Sequence, residues 1–212
     1  MGRQYIDGST KKILFELFSA CLSAQYVSVE NDASFALETD GRRLYIFFEH
    51  SNGAMDWINN LSFNYTKGGT GERRFYCHEG FLRVWQSVIP YVSDAILNPV
   101  FQEIVIVGYS HGAALALLCH EYVMNKRGDI RDGIFGFGFG CPRVIKGRVS
   151  DAPALWRNFF VIKNIDDLVT HLPPTLLGYK HVGTLIEIGK TGKYSSVEAH
   201  RQESYLSELS PS

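Results

Sequence analysis

The sequence predicts an α/β protein built on one mixed, mostly parallel sheet flanked by helices. Two patterns carry that expectation. Short strand candidates follow one another early in the chain, as in a meander, and buried apolar runs later alternate with helical stretches. At 212 residues the chain is long enough for one such domain and short for two, so a single domain over residues 1–212 is expected. Hydrophobic residues make up 45% and charged residues 20%, which excludes disordered and fibrous classes. The net charge of -1 with no basic stripe argues against nucleic acid as a partner.

The first element is an amphipathic helix. Lys11 and Lys12 precede an apolar stretch from Ile13 to Ala24 that superficially resembles a signal peptide. Glu16 interrupts it, Asp7 sits where the basic region belongs, and no A-x-A site follows. Ile13, Leu14, Leu17, Phe18, Cys21 and Leu22 fall instead at helical spacing. No run reaches the roughly 18 apolar residues of a membrane span. The expectation is a cytoplasmic protein with no transmembrane segment. Cys21, Cys77, Cys119 and Cys141 show no C-x-x-C pair and read as buried apolar residues, without a disulfide framework or zinc site.

Strands are expected at Tyr26–Glu30, Ser34–Thr39 and Leu44–Phe48, then a helical turn near Asp56–Asn60 and a further segment at Leu61–Tyr65. Lys67–Arg74, polar and carrying Gly68, Gly69 and Gly71, reads as a surface loop. Glu79–Asn98 reads as a helix kinked or broken at Pro90. Glu103–Val107, Ile134–Phe139, Trp156–Ile162 and Thr184–Ile188 are buried-strand candidates, and the tail from Ser207 reads as a frayed end.

The chemistry is announced directly after Val107. Gly108-Tyr109-Ser110-His111-Gly112 matches G-x-S-x-G between a strand and a helix, the setting of a nucleophile elbow. The glycines spare strand and helix a clash, and Ala113, Ala114 and Ala116 keep the helix thin against the sheet. Ser110 is the candidate nucleophile, with the His111 amide as oxyanion donor at the positive helix end. A serine needs a base, and the base an orienting acid, in the chain order Ser, Asp or Glu, His in α/β-hydrolases. Asp166 and Asp167 are the acids at plausible loop positions. His171 follows them too closely, and spacing leaves His181 and His200 both open.

These residues sit within a longer series that resembles the class 3 lipases. Leu44-Tyr45-Ile46-Phe47-Phe48-Glu49-His50-Ser51 followed by Asp56-Trp57-Ile58 is similar to the family's strand, oxyanion loop and D-W segment. His78-Glu79-Gly80-Phe81 resembles its H-x-G-F helix start, and Phe139-Gly140-Cys141-Pro142-Arg143-Val144 its F-G-x-P-R-V. Asp167 to Pro174 is similar to its D-x-V-x-x-L-P-P, Tyr179-Lys180-His181-Val182-Gly183 to its Y-x-H-x-G, and Ala199-His200 with Tyr205 to its terminal H-x(n)-Y. The resemblance implies an α/β-hydrolase fold and a Ser110–His200–Asp167 triad, with Ser51 as second oxyanion donor and His181 as a structural histidine. Glu49-His50 stand where the family has Arg-Gly, and Tyr109 where it has His. Asn64–Cys77 matches the lid position but has no amphipathic stripe.

Other signals carry nothing. H-E-x-x-H fails at Leu82 and Met124, and Thr184 stands where a P-loop needs its first glycine. Gly136, Gly138 and Gly140 fall inside an apolar strand and not at a strand-to-helix turn, so they admit close helix approach and make no dinucleotide fingerprint. The expected function is a serine carboxylic-ester hydrolase, lipase- or esterase-like, on short- to medium-chain acyl esters or acylglycerols, with no cofactor or metal. Trp57, Phe63, Leu176 and Leu177 are weak candidates for acyl contacts, and each reads as core before pocket. The alternatives are an acyltransferase on the same triad or a non-catalytic binding protein of the same fold.

Overall fold

The computed structural model describes residues 6–29, 33–49, 62–71, 74–147, 153–189 and 195–211. Helix α1 (Gly8–Ser23) starts where Asp7 caps it, the carboxylate accepting the Thr10 amide at 2.7 Å. Strands β1 (Val27–Val29), β2 (Ala33–Asp40) and β3 (Arg43–Phe48) form the early meander. β4 (Tyr65–Gly68) and β5 (Phe75–His78) lead into α2 (Glu79–Leu97), then β6 (Glu103–Tyr109) into α3 (His111–Lys126). β7 (Ile134–Phe139), β8 (Ile145–Lys146), β9 (Phe159–Asn164), β10 (Tyr179–Lys180), β11 (Thr184–Ile188) and α4 (Gln202–Leu209) complete the order.

Among the described residues the main sheet has seven strands in the order β1-β2-β3-β6-β7-β9-β11. The β1–β2 and β2–β3 pairs are antiparallel, and every pair from β3 to β11 is parallel. The fold class is therefore the expected one: a mixed, mostly parallel sheet with helices on both faces. On one face α2 and α3 pack against Ile46, Ile104, Ile106, Ile134 and Phe159. On the other, Leu14, Phe18 and Cys21 of α1 meet Tyr205 and Leu209 of α4 over Phe47, Val107 and Phe139. Helix α3 is buried on every side from His111 to Met124, which explains its lack of a polar stripe. No described helix is long and apolar enough to cross a membrane.

Several local expectations are corrected. A second, four-stranded sheet exists beside the first, in the order β10-β8-β5-β4 with antiparallel pairs. The expected surface loop from Lys67 therefore holds strand residues, and Asn64–Cys77 includes a β-hairpin whose tip is clipped down. The buried Glu121 carboxylate of α3 accepts the Thr70 amide at 2.9 Å and the Thr70 hydroxyl at 2.9 Å. Periodicity does not reveal this because strands of two to four residues carry little alternation. Pro90 does not break α2. It lies on the exposed face, as does Gln86 four residues before it, where the loss of one helical hydrogen bond is cheapest. The tail is also ordered further than expected, since Leu209 is buried against α1. Phe63, Leu176 and Leu177 are exposed rather than core, and Trp57 lies outside the described residues together with the turn expected at Asp56–Asn60.

Between α3 and β9 the packing includes a histidine. His120 is fully buried, its ring 5.5 Å from that of Phe159, and neither ring nitrogen completes a hydrogen bond. Burial holds its pKa down at about 3, against a weak opposing pull from the Leu155 backbone. His181 is likewise held at about 4, chiefly by burial. The unfolded chain takes up these protons as pH falls through the ordinary histidine range while the folded chain does not. Stability should therefore drop on acidification from about pH 6.5 toward 4, by about 1 kcal/mol per pH unit for each histidine. Urea melts at stepped pH should show that slope, and His120→Leu should make it shallower.

Candidate active site

The turn from β6 into α3 is built on steric necessity. A Cβ at Gly108 would collide with the Gly112 carbonyl, and one at Gly112 with the Phe48 carbonyl. With those clashes absent, strand and helix close on each other and force Ser110 to φ 57°, ψ -121°. It is the non-glycine positive φ among the described residues, a strain of order 1–3 kcal/mol. The Ser110 amide bonds to the Phe139 carbonyl at 2.9 Å, fixing the elbow to the end of β7.

His200 reaches that serine from the turn before α4. Its Nε2 lies 2.7 Å from Ser110 Oγ, and its Nδ1 lies 2.7 Å from Asp167 Oδ2. A carboxylate only accepts, so Nδ1 carries the proton and Nε2 is left to accept from the serine hydroxyl. Ser110, Asp167 and His200 are all buried, Asp167 completely.

Two further constraints hold the acid and the base together. Asp167 Oδ1 accepts the Val169 amide at 2.8 Å, and Oδ2 also accepts the Tyr205 hydroxyl at 2.6 Å. The acid loop is laced to the segment before His200: Leu168 N bonds to Ser196 O at 3.1 Å, and Ser196 N to Asp166 O at 2.7 Å. Tyr109 covers the base, its ring stacked on the imidazole at 5.2 Å and its hydroxyl donating to the His200 carbonyl. Burial and, after it, the Asp167 charge push the Tyr109 and Tyr205 hydroxyls well above the ordinary tyrosine range, so both stay donors.

The two alternatives left open by spacing separate in space. His181 Nε2 is spent on the Thr170 carbonyl at 2.9 Å. Asp166 contributes its carbonyl to Ser196, and it is Asp167 that faces His200. His111 begins α3, buried, with its ring 5.6 Å from that of Phe81. Ser51 and His50 lie outside the described residues. The carbonyls of Phe48 and Glu49 lie close against Gly112, so the end of β3 sits beside the elbow. Among the described residues no group of three or more His, Cys, Asp and Glu side chains is placed to hold a metal ion.

A family model described as lipase (class 3) matches residues 45–177, well over half of the chain. The chain belongs to the class 3 lipase family. Among relatives of the family, a lipase of Rhizomucor miehei is 28% identical over 171 residues, covering 73% of this chain and 44% of the relative. A phospholipase A1-II 5 of Oryza sativa subsp. indica is 25% identical, covering 77% and 42%. A secreted mono- and diacylglycerol lipase 1 of Fusarium solani is 26% identical, covering 77% and 50%. The chain thus spans about half the length of the curated relatives it matches or somewhat less. The fold is that of the solved Rhizomucor miehei triacylglyceride lipase, with a TM-score of 0.75 at 18% identity over 92% of this chain and 94% of that one. A triacylglycerol lipase whose catalytic centre is described as a serine protease triad has a TM-score of 0.70 at 22% identity, over 83% and 77%.

One site residue escaped sequence reasoning. Gly140, treated as part of a glycine-rich strand, follows β7 at φ 58° and backs the acid–base pair. A Cβ there would stand 2.9 Å from His200 Cε1 and 3.2 Å from Asp167 Oδ2. The signal available was its place immediately after an apolar strand, where a left-handed turn demands glycine. Gly140→Ala should lower kcat roughly a hundredfold by displacing the imidazole. Gly138→Ala, whose nearest neighbours are the Phe159 ring and Cys141, should cost far less. Steady-state kinetics with circular dichroism as a folding control compares the two.

Proposed function

We propose that the protein is a serine carboxylic-ester hydrolase acting on short- to medium-chain acyl esters or acylglycerols through a covalent acyl-enzyme. The observation that carries the reading is the unbroken chain of 2.7 Å contacts from Ser110 Oγ through His200 to Asp167. Family membership supports it, as does the serine triad reported for the solved triacylglycerol lipase of the same fold.

In this reading His200 Nε2 takes the Ser110 proton as Oγ attacks the ester carbonyl carbon. The resulting oxyanion is received by the His111 amide at the start of α3 and by Ser51, each donor contributing about 3 kcal/mol. Asp167 keeps the proton on Nδ1 and stabilises the imidazolium. His200 then protonates the leaving alcohol, and the acyl group remains on Ser110. Water, deprotonated by the same Nε2, attacks the acyl-enzyme and releases the acid and the free serine. The Tyr205 hydroxyl holds Asp167 Oδ2 in the plane that the imidazole needs.

Labelling by a fluorophosphonate probe, with turnover of p-nitrophenyl esters of graded chain length, tests this directly. Wild type should label and hydrolyse, Ser110→Ala should do neither, and His200→Ala should label at least roughly a thousandfold more slowly. A wild-type protein inert to the probe and to every ester would defeat the reading. Loss of activity in His181→Ala but not in His200→Ala would reassign the base.

A further inference from the structure

The second sheet has an outer face that the ester chemistry does not use. Its inner face sends Cys77 and Ile145 into the core. On the outer face the strand register sets Lys67 opposite Tyr76, Tyr76 opposite Lys146, and Lys146 opposite Tyr179. Lysine and tyrosine therefore alternate in a row across all four strands, Tyr179 at its end being itself buried. Tyr65 shares that face, its ring edge-on to Tyr76 at 5.6 Å, and Lys146 Nζ lies 3.9 Å over Tyr65 and 5.3 Å from the Tyr179 ring. Tyr65 and Tyr76 are 51% and 46% exposed. On this face the four strands present Lys67 and Lys146 and no acidic residue, in a chain whose net charge is -1, while Lys180 pairs with Ile145 and belongs to the other face.

An apolar prominence stands beside this plate. Leu176, in the turn before β10, is 95% exposed, and Leu177 and Phe63 are also exposed. The Tyr179 hydroxyl donates to the Phe63 carbonyl at 3.0 Å, holding that segment against the sheet. Plate and prominence hang from the loops that carry the site. Residues 140–144 run from Gly140, behind His200, into β8, and the chain from Asp167 runs through Leu176 into β10.

We propose that this face seats the protein on an anionic phospholipid surface. Three features fit one occupant. Lysines on strands that carry no acidic residue match lipid phosphate and anionic headgroups. Half-exposed tyrosines suit the interfacial zone, where an aromatic body and a polar tip are both satisfied. Leu176 meets no protein surface and gains by entering the acyl boundary. A single-stranded nucleic acid would use the lysines and rings but leave the leucine in water. The inference rests on the lipid-ester reading for its purpose, since the seated face would bring the site's loops toward the bilayer. Binding itself is measured without turnover.

The test is co-sedimentation of the full chain with vesicles of phosphatidylcholine alone and of phosphatidylcholine with about a third phosphatidylglycerol. Binding should be selective for the anionic vesicles and should weaken as salt rises. Lys67→Glu should lower the partition coefficient roughly tenfold, and Tyr76→Ser and Leu176→Asp roughly threefold each. Lys67→Glu and Tyr76→Ser should hydrolyse a soluble short-chain ester at the wild-type rate. Equal binding to neutral vesicles, wild-type binding by Lys67→Glu, or binding of single-stranded RNA in place of vesicles overturns the proposal. Selective vesicle binding by a chain that turns over no ester upholds the docking face and removes the hydrolase reading instead.

Discussion

The contact between the end of β6 and the start of α3 is the constraint on which the site depends. Two glycines and a run of alanines let strand and helix approach until Ser110 has no relaxed conformation left. The strain is held by the burial of α3 on all sides and by the hydrogen bond from the Ser110 amide to Phe139. The result is a serine whose hydroxyl direction is set by the main chain rather than by a rotamer choice. Everything else in the site is arranged around that fixed direction.

The acid and base are positioned by a different principle. Asp167 is wholly buried, which would be costly for a carboxylate without partners. Its oxygens instead accept the Val169 amide, the Tyr205 hydroxyl and His200 Nδ1. Tyr109, placed by β6 itself, stacks on the imidazole and grips its backbone, so the elbow strand also braces the base it serves.

Much of this was legible in the residues. The parallel strands, α2, the elbow and the helix after it follow from apolar runs bounded by glycine and from steric demands within a few residues. The pairing of Asp167 with His200 was not, because it joins residues far apart in sequence and spacing admits His181 equally. The family resemblance pointed to His200, and the fold then shows His181 engaged with Thr170. The second sheet and the anchoring role of Gly140 were illegible for a related reason. Two-residue strands such as β8 and β10 carry no periodicity, and Gly140 matters only through the side chains that the fold brings behind it.

The lacing of residues 166–168 to Ser196 has a consequence for how the protein fails. Acid and base belong to two peripheral segments that hold each other, while the serine belongs to the innermost helix junction. Peripheral segments open at lower free energy than a core. On gentle heating, α4 and its preceding turn would peel away first, carrying His200 off while the parallel strands remain paired. The Ser110–His200–Asp167 contacts would then be lost ahead of melting, and reclosure on cooling would restore them without refolding the sheet.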